Sequence, residues 1–305
     1  MTFQDHEIDN LLKFADPVIT SILDKALSGK EISVNEALVL FDAKGVDFHL
    51  VGMVADNLRA KRVGDTVTYV VNRNINFTNV CIKQCGFCAF SRDFREEEGY
   101  FLPIEEILRR AKEAYHYGAS EVCIQAGLPP DMDANLYENI CKGIKDEIPS
   151  IHIHGFSPEE ILYGANRQEI SPKEYLIKLK EAGVDTIPGT AAEILNQKLR
   201  DKISPGRITV KDWVDIIKTA HKQGIKSTST MMFGHLETYE DRVKHIGIIR
   251  DIQKETGGFT EFVPLNFISS EAPMYKNKLH EGIRNGASGN DALLVHAIAR
   301  IMLNN

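Results

Sequence analysis

The chain reads as an α/β protein, a TIM-type (β/α) barrel of at least six units behind an N-terminal helical segment. Three observations predict this. Six short apolar runs alternate with capped helical segments from about residue 67 onward, and such alternation implies a parallel sheet with crossover helices. No G-x-G-x-x-G follows the first run, so the fingerprint of an open dinucleotide-binding sheet is missing. A loop with three cysteines directly follows that run, and barrels carry functional residues at the C-terminal ends of their strands.

The elements follow in order. Residues 1–68 read as a helical segment packed on the barrel, and residues 69–305 as the barrel. Ser33 and Glu36 form a capping box, and Ala37, Leu38, Leu40 and Phe41 continue an apolar helical face. The strands are expected at 67–77, 121–125, 151–156, 185–188, 226–233 and 259–267. Between them, Ser157-Pro158-Glu159-Glu160 and Ser171-Pro172-Lys173-Glu174 each offer an N-cap serine, a first-turn proline and a glutamate at the third helical position. Thr209 to Asp212 and Thr238 to Asp241 are weaker versions. Gly118, Gly183 and Gly224 each precede a strand, as helix-ending glycines do.

Composition narrows the function classes. The 305 residues are 43% hydrophobic and 26% charged, an ordinary globular balance. A net charge of −7 does not suggest a nucleic-acid surface. No apolar run approaches the roughly 18 residues of a membrane helix. The first residues lack a basic stretch followed by an apolar core, so no export signal is expected, and a cytoplasmic location is.

Cys81, Cys85 and Cys88 form a C-x3-C-x2-C run. Structural zinc sites want four ligands in paired groups, and no second pair follows. A cubane iron–sulfur cluster usually takes four cysteines, so three leave one iron open for chemistry. Cys123 and Cys141 stand alone and read as small core residues. Five cysteines without a secretory signal do not suggest a disulfide framework.

A C-x3-C-x2-C loop after the first strand of a six-unit barrel resembles the radical S-adenosylmethionine (SAM) superfamily. The resemblance implies a [4Fe-4S] cluster on Cys81, Cys85 and Cys88, with SAM on the open iron as source of a 5′-deoxyadenosyl radical. Six segments, 71–79 (VNRNINFTN), 88–90 (CAF), 151–158 (IHIHGFSP), 187–195 (IPGTAAEIL), 229–235 (STMMFGH) and 256–265 (TGGFTEFVPL), narrow it. They are similar to the second-subunit family of FO synthase, the 5-amino-6-(D-ribitylamino)uracil–L-tyrosine 4-hydroxyphenyl transferases. That implies cleavage of L-tyrosine and addition of its 4-hydroxybenzyl group to 5-amino-6-(D-ribitylamino)uracil, in deazaflavin coenzyme biosynthesis. It also implies an electron donor such as ferredoxin or flavodoxin, and FO synthase subunit 1 as functional partner.

The resemblance assigns site residues too. Phe87 matches the aromatic whose backbone meets the SAM adenine; read alone, it is a core aromatic of the loop. Gln125 and Gly127 follow strand two, where the family's turn holds the SAM amino group, with Ala126 where relatives often have Gly. Glu193 follows strand four and is expected on SAM; read alone, it is a first-turn glutamate favoured by the helix dipole. Substrate contacts are expected from Asn76, His154, Thr230, His235 and Glu261. His152 and His154 alternate on strand three and share a face. Arg109, Arg110 and Lys112 read as a solvated helix face.

Two other readings stand beside this one. A related barrel enzyme of menaquinone synthesis by the futalosine route shares the cysteine loop. An iron–sulfur electron-transfer or sensor protein without turnover would need a fourth protein ligand. Relatives continue beyond the position of Asn305, so the expectation is a barrel lacking its last strands.

Overall fold

The computed structural model describes residues 5–83, 85–93 and 98–303. Four helices come first: α1 (Asp5–Leu12), α2 (Pro17–Leu27), α3 (Val34–Leu40) and α4 (Val46–Val63). Then β1 (Asn72–Ile75), α5 (Ile104–His116), β2 (Glu121–Ile124), α6 (Leu136–Glu147) and β3 (His152–Gly155) alternate. Two helices, α7 (Pro158–Arg167) and α8 (Pro172–Glu181), cross to β4 (Thr186–Ile187). Two more, α9 (Gln197–Ile203) and α10 (Val210–Lys222), cross to β5 (Lys226–Phe233). The sequence continues through α11 (Tyr239–Thr256), β6 (Phe259–Asn266), α12 (Pro273–Lys276) and α13 (Gly289–Met302).

All six strands are parallel and lie in chain order, so β1 and β6 are the sheet edges. The architecture is a parallel, helix-covered barrel sheet that is open between those edges. The first strand is shorter than the apolar run suggests: residues 66–71 are exposed and only 72–75 pair with β2. Strand pleat sorts the side chains. Val122, Ile124, Ile153 and Ile187 are fully buried in one core with α5, α6, α7, α8 and α10. Glu121, His152, His154 and Thr186 alternate with them and meet on the other face, where both histidines bond the Thr186 hydroxyl.

Local chemistry sets the helix starts. Ser33, Ser157, Ser171 and Thr238 each accept from the backbone amide three residues on, and the acidic side chain there reaches back to the cap amide. Thr209 caps α10 by accepting from Asp212 N. Gly118, Gly183 and Gly224 end the preceding helices with positive φ. Arg109 and Arg110 both pair with Glu106 on the outer face of α5.

A second core joins the N-terminal helices to the rest. Residues of α1 to α4 pack with Ile194, Leu199, Met231, Phe233 and the apolar faces of α11 and α13, and α4 lies along α13. Among the described residues no helix is long and apolar enough to cross a membrane. Trp213 of α10 is fully buried, and its indole Nε1 donates to Thr190 O at 3.1 Å. Truncation there leaves a large cavity and an unmatched carbonyl. Trp213→Ala is expected to cost about 3–5 kcal/mol, read as a lower urea midpoint by circular dichroism.

Candidate active site

The cysteine loop lies between β1 and α5 and is fastened along its length. Cys81 N donates to Arg92 O (3.0 Å), Ile82 N to Leu128 O (2.8 Å) and Gly86 N to Ile203 O (2.8 Å). Met274 N then donates to Gly86 O (2.7 Å). The loop is thereby tied to the turn after β2, the end of α9 and the start of α12. Cys81, Cys85 and Cys88 line one cavity of about 120 Å³ with Phe87, Gly127, Ser157, Glu159, Glu160 and Arg207 among its walls. Gly127 is required there: a Cβ would stand 2.3 Å from Val80 O and 3.1 Å from Cys81 Cβ.

Three soft thiol donors around one small cavity suit an iron–sulfur cluster. Among the described residues no three His, Cys, Asp or Glu side chains converge on a single ion. A cubane binds each thiolate to a different iron, so its ligands need not converge. Burial pushes the Cys85 thiol up to about 12, and the Arg207 guanidinium is the largest influence opposing it.

Charged side chains from several loops and helix ends gather at that cavity. Arg207 Nη1 lies 2.8 Å from Glu193 Oε1 and 3.7 Å from Cys85 Sγ. Its Nε lies 3.2 Å from Glu159 Oε2. Burial opposes its charge, but Glu193, Cys85 and Glu159 hold its pKa above the usual arginine value. Glu193 also pairs with Arg200 (3.2 Å), and Glu159 with Lys83 (3.4 Å). Glu160 accepts from Ser157 N (2.7 Å), Ser157 Oγ (2.5 Å) and Ala126 N (2.9 Å). Burial pushes its carboxyl up to about 7, against the pull of those bonds. The Ala126 amide is thus already engaged by Glu160.

A second cavity, about 310 Å³, opens on the other side of Phe87. Thr190, Ala191, Glu193, Thr230, Met232 and the strand-end residues 265–268 line it. The loop after β4 approaches β5 closely, because a Cβ on Gly189 would lie 2.0 Å from Thr228 O. Gly189 N donates to Thr228 Oγ1 (3.0 Å), and Thr230 Oγ1 donates to Gly189 O (3.0 Å). Ala191 and Glu193 sit at φ 61° and 38°, a left-handed region costly for residues with a Cβ. The loop is pinned by Met232 N donating to Glu193 O (2.7 Å) and Leu195 N donating to His245 Nδ1 (3.0 Å).

The structure places the expected residues unevenly. Cys81, Cys85, Cys88, Phe87 and Gly127 meet at the first cavity, and Phe87 also joins Glu193 and Thr230 at the second. Asn76 and Gln125 work one step back. Asn76 Nδ2 donates to Gln125 O (2.9 Å), and Gln125 Oε1 accepts from Thr190 Oγ1 (3.1 Å).

Three expected substrate contacts lie elsewhere. His154 is occupied by Thr186 Oγ1 at 2.8 Å and lines neither cavity. His235 is fully buried behind β5, with Nε2 3.1 Å from Met232 O and Nδ1 3.4 Å from Glu237 Oε2. The loop after β5 turns inward there, because Glu237 collects Gly234 N, His235 N, Arg242 and Arg284. Glu261 is exposed on the edge strand β6 and lines a separate cavity of about 540 Å³ beside α11 and α13. Cys123 is half-buried and its Sγ accepts from Gln125 Nε2 (3.2 Å), whereas Cys141 is a buried core residue. Arg207, Glu159 and Glu160 line the cysteine cavity although the motifs did not single them out. For Glu159 and Glu160 the one signal was the SPEE run after β3, which also reads fully as a helix start, and Arg207 had none.

A parallel barrel sheet with three cysteines gathered in its first loop is the framework of a radical SAM protein. Residues 75–249 match the Radical SAM superfamily, and the chain belongs to it. Within that superfamily it is 47% identical over 281 residues to the 5-amino-6-(D-ribitylamino)uracil--L-tyrosine 4-hydroxyphenyl transferase of Methanothermobacter thermautotrophicus, covering 92% of this chain and 76% of that one. It is 49% identical over 277 residues to the same-named transferase of Methanocaldococcus jannaschii, covering 90% and 76%. FO synthase of Mycobacterium tuberculosis is 46% identical over 268 residues, 88% of this chain but 31% of that longer protein. Two solved structures share the fold. The FeFe-hydrogenase maturase HydG from Carboxydothermus hydrogenoformans aligns with TM-score 0.71 at 17% identity over 98% of this chain and 66% of that one. Methylornithine synthase (PylB) aligns with TM-score 0.64 at 20% identity over 93% and 77%.

His245 offers a pH test of the loop after β4. Burial pushes its pKa down to about 3 from 6.5. Between those values the folded state binds fewer protons than the unfolded one. The stabilisation is therefore complete above pH 6.5 and is lost as pH falls toward 3. Each unmatched proton is worth at most about 1.4 kcal/mol per pH unit. His221, pushed down to about 4 by burial, acts in the same sense, and Glu160 in the opposite one. His245→Gln is expected to flatten the fall of the urea midpoint between about pH 7 and pH 5 relative to the parent chain; equal slopes would show that His245 is not held neutral.

Proposed function

We propose that this chain cleaves the Cα–Cβ bond of L-tyrosine and transfers the 4-hydroxybenzyl group to 5-amino-6-(D-ribitylamino)uracil, a step of FO biosynthesis. The observation that carries the reading is the pair of adjoining cavities that share Phe87 as a wall, in a chain nearly half identical to transferases named for that reaction. Cys81, Cys85 and Cys88 would hold the [4Fe-4S] cluster, with SAM beside Phe87, Gly127 and Glu193. When bound, that pair supplies a carbon radical able to abstract a hydrogen atom.

The chain's own residues then hold and shield the substrates. The second cavity sets Thr190, Thr230, Glu193 and Asn266 among Ala191, Met232, Leu265, Phe267 and Ile268. A few polar groups on an apolar wall orient a small substrate, and the apolar remainder keeps water from a reactive fragment. Thr230 is the polar residue that β5 turns toward the substrate, beside Met232. Asn76 and Gln125 position the turn after β2 and the loop after β4 relative to each other. The reading places the protein in the cytoplasm, fed by a low-potential donor such as ferredoxin or flavodoxin, with FO synthase subunit 1 consuming its product.

The test is anaerobic reconstitution with iron, sulfide, SAM, L-tyrosine and the ribitylaminouracil, followed by mass spectrometry. A 4-hydroxybenzyl adduct of the uracil is expected together with 5′-deoxyadenosine. Deoxyadenosine without the adduct would overturn the substrate assignment. Gly127→Ala pushes on the Val80–Cys81 backbone, and is expected to lower iron retained after reconstitution several-fold, to roughly a tenth to a third of the parent level, by direct iron and sulfide assay.

A further inference from the structure

We infer that Arg207 raises the reduction potential of the cluster by donating a charge-assisted hydrogen bond to the Cys85 sulfur. The inference rests on the reading of Cys81, Cys85 and Cys88 as cluster ligands. Arg207 Nη1 stands 3.7 Å from Cys85 Sγ, and the side chains are nearly enclosed, Arg207 at 14% exposed and Cys85 at 9%. Cys81 Sγ, by contrast, accepts from a neutral donor, the Lys83 backbone amide at 3.4 Å.

The guanidinium is held in place by the rest of its fork. A planar guanidinium carries five N–H donors in fixed directions. Glu159 takes Nε and Glu193 takes Nη1, which leaves Arg207 no freedom to swing away from the sulfur. Its charge is not cancelled by those carboxylates. Glu193 is shared with Arg200, and Glu159 with Lys83. Among these paired groups three cations face two carboxylates. Glu160, the third carboxylate of the cavity, is bonded to Ser157 and Ala126 N instead, so positive charge remains beside the sulfur.

That surplus has a direction. Reduction adds an electron to the cluster. A positive charge and a hydrogen bond to a ligating sulfur both stabilise the added electron, and the low dielectric of an enclosed site strengthens the effect. Arg207 is thus a positioning and tuning residue, acting on the metal through its ligand.

The experiment uses the reconstituted full chain without SAM or substrates. Iron and sulfide are measured first, then the midpoint potential by redox titration followed by electron paramagnetic resonance. Arg207→Gln is expected to move the midpoint to a more negative potential at parental iron content. Arg207→Lys keeps a cation between Glu159 and Glu193 but loses the reach of the fork, so a smaller shift in the same direction is expected. An unmoved or more positive midpoint in both variants overturns the inference while leaving the cluster reading intact. A parent chain that retains no iron overturns both. Where Arg207→Gln does not fold, the lysine variant decides alone, and an unmoved midpoint in it overturns the hydrogen bond.

Discussion

Burying a guanidinium is the constraint on which the rest of the site depends. A charge taken out of water is tolerated only when partners surround it, and Arg207 draws its partners from two loops and the first turn of a helix. Glu159 comes from the start of α7, Glu193 from the loop after β4, and Cys85 from the loop after β1. Each of these carries a site-facing group of its own. Satisfying one arginine therefore brings the strand-end loops to a common point, and the walls of both cavities follow from that meeting.

The short strands make this gathering possible. β1 to β4 are four residues or fewer, so each loop begins close beneath the cavity floor. The loop after β4 then accepts two left-handed residues and a glycine against β5 to bring Thr190 and Glu193 over the second cavity. Main-chain bonds from Met232 and Leu195 hold that arrangement. The buried group around Glu237 plays the same role on β5. Its carboxylate gathers two amides and two arginines, and although burial works against ionisation, His235, those amides and the arginines hold it down to about 2. His235 belongs to that support and stands behind the cavity wall, bonded to the Met232 carbonyl and edge-on to the Phe267 ring.

The fold was legible because its signals are local. Capping boxes at Ser33, Ser157, Ser171 and Thr238 start helices in the structure as their spacing implies, and β5 spans the expected residues. The cysteine loop was legible because three thiols at that spacing have few other uses. The ion-pair centre was not. Arg207 sits in a turn between α9 and α10 with no periodicity to mark it, and Glu159 hides inside a sequence already accounted for as a helix start. Strand-end position also does not say which way the following loop folds, which is why His235 turns inward. Glu261 lies in an apolar run, but β6 is a sheet edge and leaves that carboxylate in solvent.

The only tryptophan of the chain has a further use. Its indole is buried and bonded to the carbonyl of Thr190, whose own side chain borders the second cavity. Indole emission responds to the polarity and hydrogen bonding of its surroundings. The molecule thus carries one intrinsic optical probe, wired to the loop that encloses its reaction chamber and silent about every other part of the surface.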